Sequence, residues 1–287
     1  MALYATTDMM TTVIGFVDAV RRMLRAECGI SVAEYRLLAY LSDREEPIRP
    51  AVATRVLDAS PAMTTFTTNG LVRKGLARRL DAKGGPVLVA TPQGVALCRD
   101  ADSALEQVHH ALLSLLSEKL RNTIVVGTQM TVMAVTKVNR MKGGTFYGEF
   151  ETLQAFLIIE KVMTESAQAF GLSMNGFRIL FRLGEVDGGA TPGELAETLA
   201  VPPSAITYAV KALEQEGLVT RFAEKLDKRS VRVRITQAGA DLLQRSSQHM
   251  DPRLISGIRG ATASERRFIQ EACEFIAIAV RKWMRQG

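Results

Sequence analysis

The sequence has few residues of the kinds that build metal, redox or disulfide sites. It contains three cysteines and three histidines among 287 residues, and the cysteines share no close spacing. That pattern argues against a zinc site or a disulfide framework and predicts a reducing compartment. Aromatic residues are also scarce at 6%, while hydrophobic residues reach 47% and charged residues 23%. Such a composition is that of a folded globular protein and excludes a disordered or collagen-like chain.

Long apolar runs and a charged leader are missing as well. The longest weakly polar stretch, residues 123–135, is shorter than the roughly 20 residues that a membrane span needs. No basic residue occurs before Arg21, so the start lacks the charged region of a signal peptide. We therefore predict a cytoplasmic protein with no membrane partner.

The signatures of common enzymes are absent from the sequence. It holds no Walker phosphate loop, zinc-protease helix, glycine-rich dinucleotide fingerprint or serine elbow. The adjacent His109 and His110 would point about 100° apart on a helix, which makes them a poor metal pair. We predict no enzymatic activity, no cofactor and no bound metal.

The charge balance is mildly basic and unevenly distributed. The net charge is +6, of which +5 lies in residues 1–147 and +1 in residues 148–287. An excess of this size permits a polyanionic partner, and it equally fits a basic surface that keeps the protein soluble.

The most informative feature of the sequence is an internal repeat. Residues 31–76 align with residues 173–218 at a constant offset of 142, with 11 identities in 46 positions and no gap. Thr91 then meets Thr236 at an offset of 145, so the first copy is three residues shorter before that point. Each copy has the size of one domain.

The second copy predicts the order helix, helix, helix, helix, strand, turn, strand, helix, helix. Thr191, Pro192 and Glu194 form a capping-box arrangement at one helix start, and Gly217 ends the next helix. Residues 231–236 alternate apolar and basic side chains, which is typical of a half-buried strand. A helix pair joined by a short turn and followed by a hairpin is a winged helix-turn-helix.

The first copy follows the same order of elements. We therefore predict a mainly α fold with small β-hairpins, built from two tandem winged helix-turn-helix domains. Residues 1–142 form the first domain, residues 143–148 a linker, and residues 149–287 the second domain. The amphipathic helices that flank each winged region need a partner surface.

Five segments of the second copy carry the pattern of a known family. They are Leu195–Leu199, Ser204–Tyr208, Leu213–Val219, Asp227–Ser230 and Ile235–Gly239. With them the second copy resembles the MarR family, the multiple-antibiotic-resistance type of bacterial regulator. The first copy resembles that family in layout but only weakly in motif. The resemblance implies a DNA-binding transcriptional regulator.

The resemblance also implies how the two copies are arranged. Members of the family are usually homodimers in which the first and last helices of both subunits pack into one bundle. Two copies in one chain would then form an intrachain pseudo-dimer through a shared helical bundle. The short linker fits this arrangement, because a chain spans at most about 3.5 Å per residue. The expected partner is double-stranded DNA with a pseudo-palindromic operator, bound by a monomeric chain, and further association of two chains stays open.

The predicted recognition helix of the second copy, residues 203–216, has two faces. The positions expected to face the core are Ile206, Val210 and Leu213. The residues predicted to contact DNA are Ser204, Thr207, Tyr208 and Lys211. Their hydroxyl and ammonium groups can bond phosphates or base edges. The alternative is an ordinary solvated helix face.

The wing of the second copy supplies further candidates. The family resemblance implies an arginine at the wing tip that enters the minor groove, and Arg229 matches it. Asp227 would orient that region, and Lys228 would contact phosphate. The alternative is a polar hairpin turn that only stays solvated.

The first copy departs from this pattern. Its wing, residues 81–85, is shorter and has no Asp-x-Arg, while Thr64, Thr68 and Phe66 stand where the second copy has Ile206, Val210 and Tyr208. Either this helix is rotated or the copy has lost tight readout. The candidate DNA contacts in this copy are Thr65, Asn69 and Lys83. The residues that keep the region basic are Arg73, Lys74, Arg78 and Arg79. We expect asymmetric operator binding, with more sequence specificity in the second copy.

The family resemblance also bears on ligand binding and on the role of Cys28. The resemblance implies an effector pocket between the winged lobes and the helical core that takes small phenolic or lipophilic compounds. Some relatives sense oxidants through a helix cysteine, but for Cys28 we expect a buried structural thiol.

The alternative function is a winged-helix pseudo-dimer that has lost DNA binding and acts as a protein- or ligand-binding module. The degenerate first copy favours this alternative.

Overall fold

The computed structural model describes residues 6–44, 46–114, 117–122, 141–142, 145–146, 148–223, 231–249 and 262–284. Within these ranges the chain is mainly helical and has three antiparallel strand pairs. The predicted class, mainly α with small hairpins, is confirmed. None of the helices described is both long and apolar enough to cross a bilayer.

The first repeat has a helix pair followed by a hairpin, with further helices before and after them. In chain order the elements are α1 (Thr7–Glu27), α2 (Val32–Ser42), α3 (Pro50–Leu57), α4 (Pro61–Arg73), β1 (Ala77–Ala82), β2 (Gly85–Ala90), α5 (Pro92–Leu113) and the short α6 (118–122). Local caps set the helix starts, since the first N–H groups of a helix need acceptors. At α2, for example, the Glu34 N–H donates to Ser31 Oγ at 3.2 Å, and the Ser31 N–H donates to the Glu34 carboxylate at 2.8 Å.

The segment between the repeats holds a small strand pair that the sequence did not predict. Strand β3 (Met141–Lys142) pairs antiparallel with β4 (Thr145–Phe146). The predicted linker of residues 143–148 therefore contains β4 and the first residue of the following helix. Residues 143, 144 and 147 lie outside the described part of the chain.

The second repeat shows the predicted order of elements. They are α7 (Gly148–Ala169), α8 (Met174–Glu185), α9 (Pro192–Leu199), α10 (Pro203–Gln215), β5 (Val219–Ala223), β6 (Val231–Ile235), α11 (Gln237–Gln248) and α12 (Ala263–Met284). The capping box at the start of α9 is confirmed, because Glu194 N donates to Thr191 Oγ1 at 3.1 Å and Thr191 N donates to the Glu194 carboxylate at 2.7 Å. Gly217 ends the α10 region with a φ of +69°, which glycine adopts without steric cost.

Structural details recur at the offsets of the sequence repeat. An isolated antiparallel bridge joins Ile48 to Leu88 in the first repeat, and another joins Ala190 to Val233 in the second. The first members of these pairs are 142 positions apart and the second members 145, as in the sequence alignment. In each winged region, the second strand of the hairpin therefore pairs with the first strand and also with the residue two positions before the helix pair.

The chain separates into two compact units, and two of their boundaries fall inside the helices α1 and α7. The second-repeat unit comprises Met1–Phe16, Leu115–Thr123 and Phe156–Gly287, and the first-repeat unit comprises Val17–Ser114 and Ile124–Ala155. The start of α1 thus belongs to the second-repeat unit, and the start of α7 belongs to the first-repeat unit. Each unit contains residues from both repeats.

The first-repeat unit has its core around α2. The fully buried large side chains there include Tyr35, Leu37, Leu38, Leu71 and Leu105. The Tyr35 hydroxyl donates to Asp102 at 2.7 Å, so its polar end is satisfied inside the core. Its ring meets that of Phe150 from α7 edge to face, at 5.9 Å between centroids.

The second-repeat unit has its core around α8 and the start of α1. Phe177 and Phe181 of α8 pack edge to face at 4.9 Å, and Phe16 of α1 packs against Phe156 at 5.2 Å. The start of α1 is also held by polar contacts. Asp8 forms an ion pair with Arg281 of α12 at 2.8 Å. Both terminal helices of the chain therefore contribute to this unit.

Candidate nucleic-acid interface

A buried arginine fixes the turn between α9 and α10. Arg178 of α8 is only 2% exposed, and its Nη2 donates to the Leu199 carbonyl at the end of α9 and to Thr11 Oγ1 at 3.2 Å. The last carbonyls of a helix lack donors within the helix, so the guanidinium supplies one. Ala200 then reverses the chain in a left-handed conformation, with φ of +51°.

The first repeat uses the equivalent arginine in the same way. Arg36 of α2 donates to the carbonyls of Leu57 at 3.0 Å and Val56 at 2.9 Å, at the end of α3. Desolvation lowers the pKa of Arg36 to about 10, although the Asp58 carboxylate opposes that change. The side chain therefore stays protonated at neutral pH. In both repeats a charged side chain from the preceding helix holds the helix pair together.

Helix α10 divides into the two faces that its spacing predicts. Ile206, Val210 and Leu213 are buried. On the opposite face the exposed residues are Ser204, Thr207, Tyr208 and Lys211. The division into a core face and a free face is confirmed, and contact of the free face with DNA stays a prediction.

The free face of α10 offers several kinds of polar group. Tyr208 is 80% exposed, so its ring and hydroxyl both project into solvent. The Thr207 hydroxyl donates to the Pro203 carbonyl at 3.0 Å, which leaves its oxygen free to accept a hydrogen bond. Lys211 adds a positive charge one turn further along the helix. Hydroxyl and ammonium groups of this kind can bond the phosphates and base edges of a DNA groove.

The wing tip of the second repeat lies outside the described residues. The predicted contacts Asp227, Lys228 and Arg229 all fall in residues 224–230, so their placement stays a prediction. The strands that lead to the tip are described. They carry the arginines Arg221, Arg232 and Arg234, which are absent from the predicted set of contacts.

The two arginines of β6 have different surroundings. Arg232 Nη2 donates to the Gly189 carbonyl at 2.8 Å and lies 3.4 Å from Glu194. Arg234 stacks over the Phe222 ring at 4.6 Å, and its side chain is exposed. The alternation of basic and apolar residues in β6 was the signal that could have placed Arg234 among the candidates.

Glu194 ties the start of α9 to the wing. The pKa of its carboxyl lies below the usual value, first because the carboxylate accepts the Thr191 backbone N–H and then because Arg232 lies near, while partial burial opposes both. The carboxylate is therefore ionised at neutral pH. It partly neutralises Arg232, so Arg234 is the better candidate for phosphate contact on β6.

In the first repeat, α4 buries and exposes these positions as α10 does in the second repeat. Thr64 is buried at the position of Ile206, and Phe66 is exposed at the position of Tyr208. The hydroxyl of Thr64 donates to the Ser60 carbonyl at 3.0 Å, which allows a polar side chain to take a core position. Of the two alternatives, the rotated helix is wrong. Thr65, one of the predicted contacts, is exposed.

The other two predicted contacts of the first repeat are partly engaged by arginines. The Asn69 side-chain oxygen accepts a hydrogen bond from Arg79 at 2.5 Å. Lys83 lies in the two-residue turn between β1 and β2, with its side chain exposed. Arg49 donates to the Lys83 carbonyl at 3.0 Å and to the Gly84 carbonyl at 2.7 Å. Arg49 thus fixes the wing turn, a role that no local sequence pattern indicated.

Lys74 is paired with a carboxylate. It therefore does not count among the free cations that the sequence predicts for this region. Its Nζ donates to both Glu34 oxygens and to the Gly29 carbonyl, each at 2.9 Å. Burial raises the pKa of Glu34, but hydrogen bonds from Lys74 and Ser31 outweigh it and hold that pKa below its usual value. Glu34 therefore neutralises Lys74, and Arg73 and Arg78 remain as exposed cations.

The thiol of Cys28 is less buried than predicted, and its surroundings do not activate it. Cys28 is half-buried, and burial together with the charges of Glu27 and Asp100 raises the pKa of its thiol. A raised pKa disfavours the reactive thiolate. Within the ranges described, no three His, Cys, Asp or Glu side chains come close enough to hold a metal ion.

Comparison with known sequences shows a similarity of the second winged region to one family. Residues 172–231 match the MarR family. An uncharacterized HTH-type transcriptional regulator of Mycobacterium leprae is 28% identical over 90 residues, which are 31% of this chain and 63% of that protein. The HTH-type transcriptional regulator YpoP of Bacillus subtilis is 41% identical over 73 residues, which are 25% of this chain and 51% of YpoP. The chain thus spans between half and two thirds of these relatives.

Among solved structures, the similarity is confined to part of this chain. The crystal structure of wild-type MarR from E. coli has 23% sequence identity and a TM-score of 0.34, and it covers 40% of this chain and 85% of that chain. The expected resemblance of the second repeat to the MarR family is confirmed by the sequence comparison.

Proposed function

We propose that the chain is a DNA-binding transcriptional regulator whose second repeat reads a half-site through the major groove. The observation that carries this proposal is the division of α10, which buries Ile206 and Val210 and leaves Tyr208 and Lys211 in solvent. The second helix of a helix-turn-helix is the element that enters the groove in proteins of this architecture. The MarR match of residues 172–231 and the helix-turn-helix regulators among the relatives support it.

Each exposed group would then bind a part of the DNA that suits its chemistry. Lys211 would pair with a phosphate or a guanine, and the hydroxyls of Ser204, Thr207 and Tyr208 would bond phosphates or base edges. In the wing, Arg229 would enter the minor groove, with Lys228 on a phosphate and Asp227 orienting the turn. Arg234, exposed on β6, adds a cation on the same wing.

The proposal extends to the arrangement of the two repeats. We propose an intrachain pseudo-dimer, in which terminal helices of both repeats share one bundle and the two winged regions bind a pseudo-palindromic operator asymmetrically. The composition of the compact units supports it, because the start of α1 and the start of α7 each belong to the unit of the other repeat. A two-fold pair of such regions reaches half-sites about 34 Å apart.

Ligand response is a further part of the proposal. A small phenolic or lipophilic effector would release or favour DNA binding by preferring one separation of the two winged regions. Support comes from the resemblance of the second repeat to a family of regulators. A library of such compounds, screened by thermal shift and then by DNA binding, tests this part separately, and it fails if no compound changes DNA affinity.

Selection of bound DNA from random duplexes tests the proposed function. The wild-type chain is expected to enrich one sequence, and the Lys211→Ala chain to bind it at least tenfold more weakly at fixed salt. Lys282→Ala is the matched control, because it removes an exposed lysine from a different helix, α12. Enrichment of no sequence, or an equal loss in both variants, contradicts the proposal.

The stoichiometry of the complex tests the pseudo-dimer. One 31.4 kDa chain is expected to occupy one complete operator, as measured by native mass spectrometry or sedimentation. Two chains per operator would contradict a single-chain clamp and leave DNA binding itself intact.

A second candidate function is a winged-helix module that has lost DNA binding and holds a protein or a ligand. The exposed Met63 and Phe66 on α4 favour it, because apolar side chains in solvent commonly mark contact surfaces. Capture of no DNA in the selection, together with a monomeric folded chain, would favour this candidate.

A further inference from the structure

The free face of α4 has an apolar centre, although α4 occupies the position of a recognition helix. Met63 and Phe66 are 51% and 69% exposed, and they stand three residues apart on the same side of the helix. The equivalent positions in α10 are Ala205 and Tyr208. The two repeats therefore present different chemistry at the same place, a thioether and a phenyl ring against a methyl group and a phenol.

Three polar side chains of α4 form hydrogen bonds within the protein, whereas Thr65 is exposed. The Thr64 hydroxyl donates to the Ser60 carbonyl at 3.0 Å, and the Thr67 hydroxyl donates to the Met63 carbonyl at 2.9 Å. The Asn69 oxygen accepts from Arg79. Hydrogen-bonded readout from this helix is correspondingly reduced, and apolar contact is what Met63 and Phe66 can offer.

Cations border the apolar centre. Phe66 shares a surface depression with Asn69, Val72, Arg73 and Arg79. Arg73 ends α4, and Arg79 lies on β1. The complementary surface is one with negative charge at its edges and an apolar group within, and the major groove of DNA has this form wherever it contains thymine. Base pairs present one apolar group in that groove, the C5-methyl of thymine.

We propose that Phe66 and Met63 are specificity-determining residues that contact thymine methyl groups in the half-site bound by the first repeat. The inference rests on the proposed function, because it takes α4 as a helix that enters the major groove. Under this proposal the two half-sites are recognised by different chemical groups. The second repeat reads through hydroxyls and Lys211, and the first repeat reads through the methyl groups of thymine.

Replacement of thymine by deoxyuridine tests the inference, since it removes the methyl group and keeps every hydrogen-bonding group of the base. The probe is the duplex that the wild-type chain selects, with deoxyuridine placed in one half or in the other. Loss of each contacted methyl is expected to weaken wild-type binding about fourfold, and in one half only. The Phe66→Ala chain is expected to bind the thymine duplex more weakly and to lose that difference between thymine and deoxyuridine.

Tyr208→Ala is the matched control. It removes the equivalent ring from the second repeat, so it is expected to weaken binding overall and to keep the deoxyuridine effect in the first half-site. Because Phe66 and Tyr208 are both exposed, neither substitution should lower the melting temperature, and circular dichroism checks this.

The outcomes separate the inference from the proposal on which it rests. A deoxyuridine effect of equal size in wild type and in the Met63→Ala, Phe66→Ala double variant overturns the inference and leaves DNA binding in place. A selected half-site without thymine overturns it as well. A Phe66→Ala chain with wild-type affinity for every duplex overturns it and directs the face to a protein partner. Failure to select any DNA overturns the proposed function itself.

Discussion

Ala200 is a residue held in a backbone conformation that suits glycine better. It follows α9 with φ of +51°, whereas the equivalent residue of the first repeat is Asp58 with φ of +47°. Aspartate tolerates the left-handed region because its side chain can bond locally, and alanine has no such compensation. The turn of the second helix pair therefore carries a conformational cost that the fold around Arg178 and Leu199 overcomes.

Ala200→Gly is expected to raise the free energy of unfolding by about 1 kcal/mol, because glycine removes the steric penalty of the left-handed conformation. The measurement is the shift of the urea midpoint. Ala212→Gly, within α10, is the matched control and is expected to lower stability by about 1 kcal/mol, the helix-propensity cost of glycine. A loss of stability in both variants would contradict strain at Ala200.

His109 gives the fold a dependence on pH. It is buried in α5, and burial, aided by the charge of His110 and opposed by Glu106, lowers the pKa of His109 to about 4. The Glu149 carboxylate lies 3.9 Å from Nδ1, too far for a hydrogen bond that would favour the protonated ring. In the unfolded chain the group takes up its proton near the ordinary pKa of about 6.5.

The unfolded state therefore binds more protons between about pH 6.5 and pH 4, and stability falls as the pH is lowered through that window. The expected loss is on the order of 3 kcal/mol, measured as the unfolding free energy at a series of pH values. His109→Gln should flatten this part of the profile. His249→Gln, at an exposed position, should keep it, and identical profiles for wild type and His109→Gln would contradict the assignment.

The sequence predicted side-chain placement well where periodic apolar residues marked a face, and poorly where polar residues are buried. Ile206, Val210 and Leu213 identified the core side of α10. Thr64 was ambiguous because its burial depends on a hydrogen bond to the helix backbone. Arg178 and Arg49 act on carbonyls that are distant in sequence, so no spacing could indicate them.

At the scale of elements, α1 and α12 approach each other closely in the second-repeat unit. Gly15 faces Val280, and a Cβ at Gly15 would overlap the Val280 Cγ1 atom. Val280 is fully buried and β-branched, so it has little freedom to move aside. Glycine at this position is therefore a packing requirement of the helix pair.

Gly15→Ala is expected to destabilise the chain by about 1–3 kcal/mol through overpacking, as measured by chemical denaturation. Adding Val280→Ala should recover part of that loss, which a double-mutant cycle reports as a favourable coupling. Gly193→Ala is the matched control. It lies exposed in α9 with no close neighbour, so the same change should stabilise by about 1 kcal/mol. Additive losses in the Gly15 and Val280 variants would contradict the close packing.

Helix bounds were predictable because their determinants are local. Thr191 and Glu194 cap α9 within four residues of sequence, and the observed α10 ends one residue before the predicted end. The pair of β3 and β4 was missed, because two-residue strands carry no alternation that a pattern could detect. The division of the chain inside α1 and α7 depends on long-range packing and had no local signal.

At the scale of the whole molecule, the two winged regions differ in how their charges are placed. The first has a two-residue turn that Arg49 fixes, and Lys83 is exposed within that turn. The second has a longer wing, whose sequence includes Asp227, Lys228 and Arg229. The two halves of a bound operator are therefore expected to contribute unequally to affinity.

Arg229→Ala is expected to weaken operator binding more than Lys83→Ala, because an arginine in a narrow minor groove meets a concentrated negative potential and a lysine on a phosphate does not. Fluorescence anisotropy at fixed salt measures both. Each variant loses one positive charge, so Lys83→Ala also serves as the control for net charge. Equal losses would contradict the expected asymmetry.

The ion pair between Asp8 and Arg281 joins residues that are 273 positions apart. During synthesis the start of α1 is made before α8, and both precede α12. Val13 and Phe16, both buried in the folded protein, therefore lack part of their packing until the later helices have left the ribosome. In that interval they form an apolar stretch of the growing chain that a chaperone would need to shield.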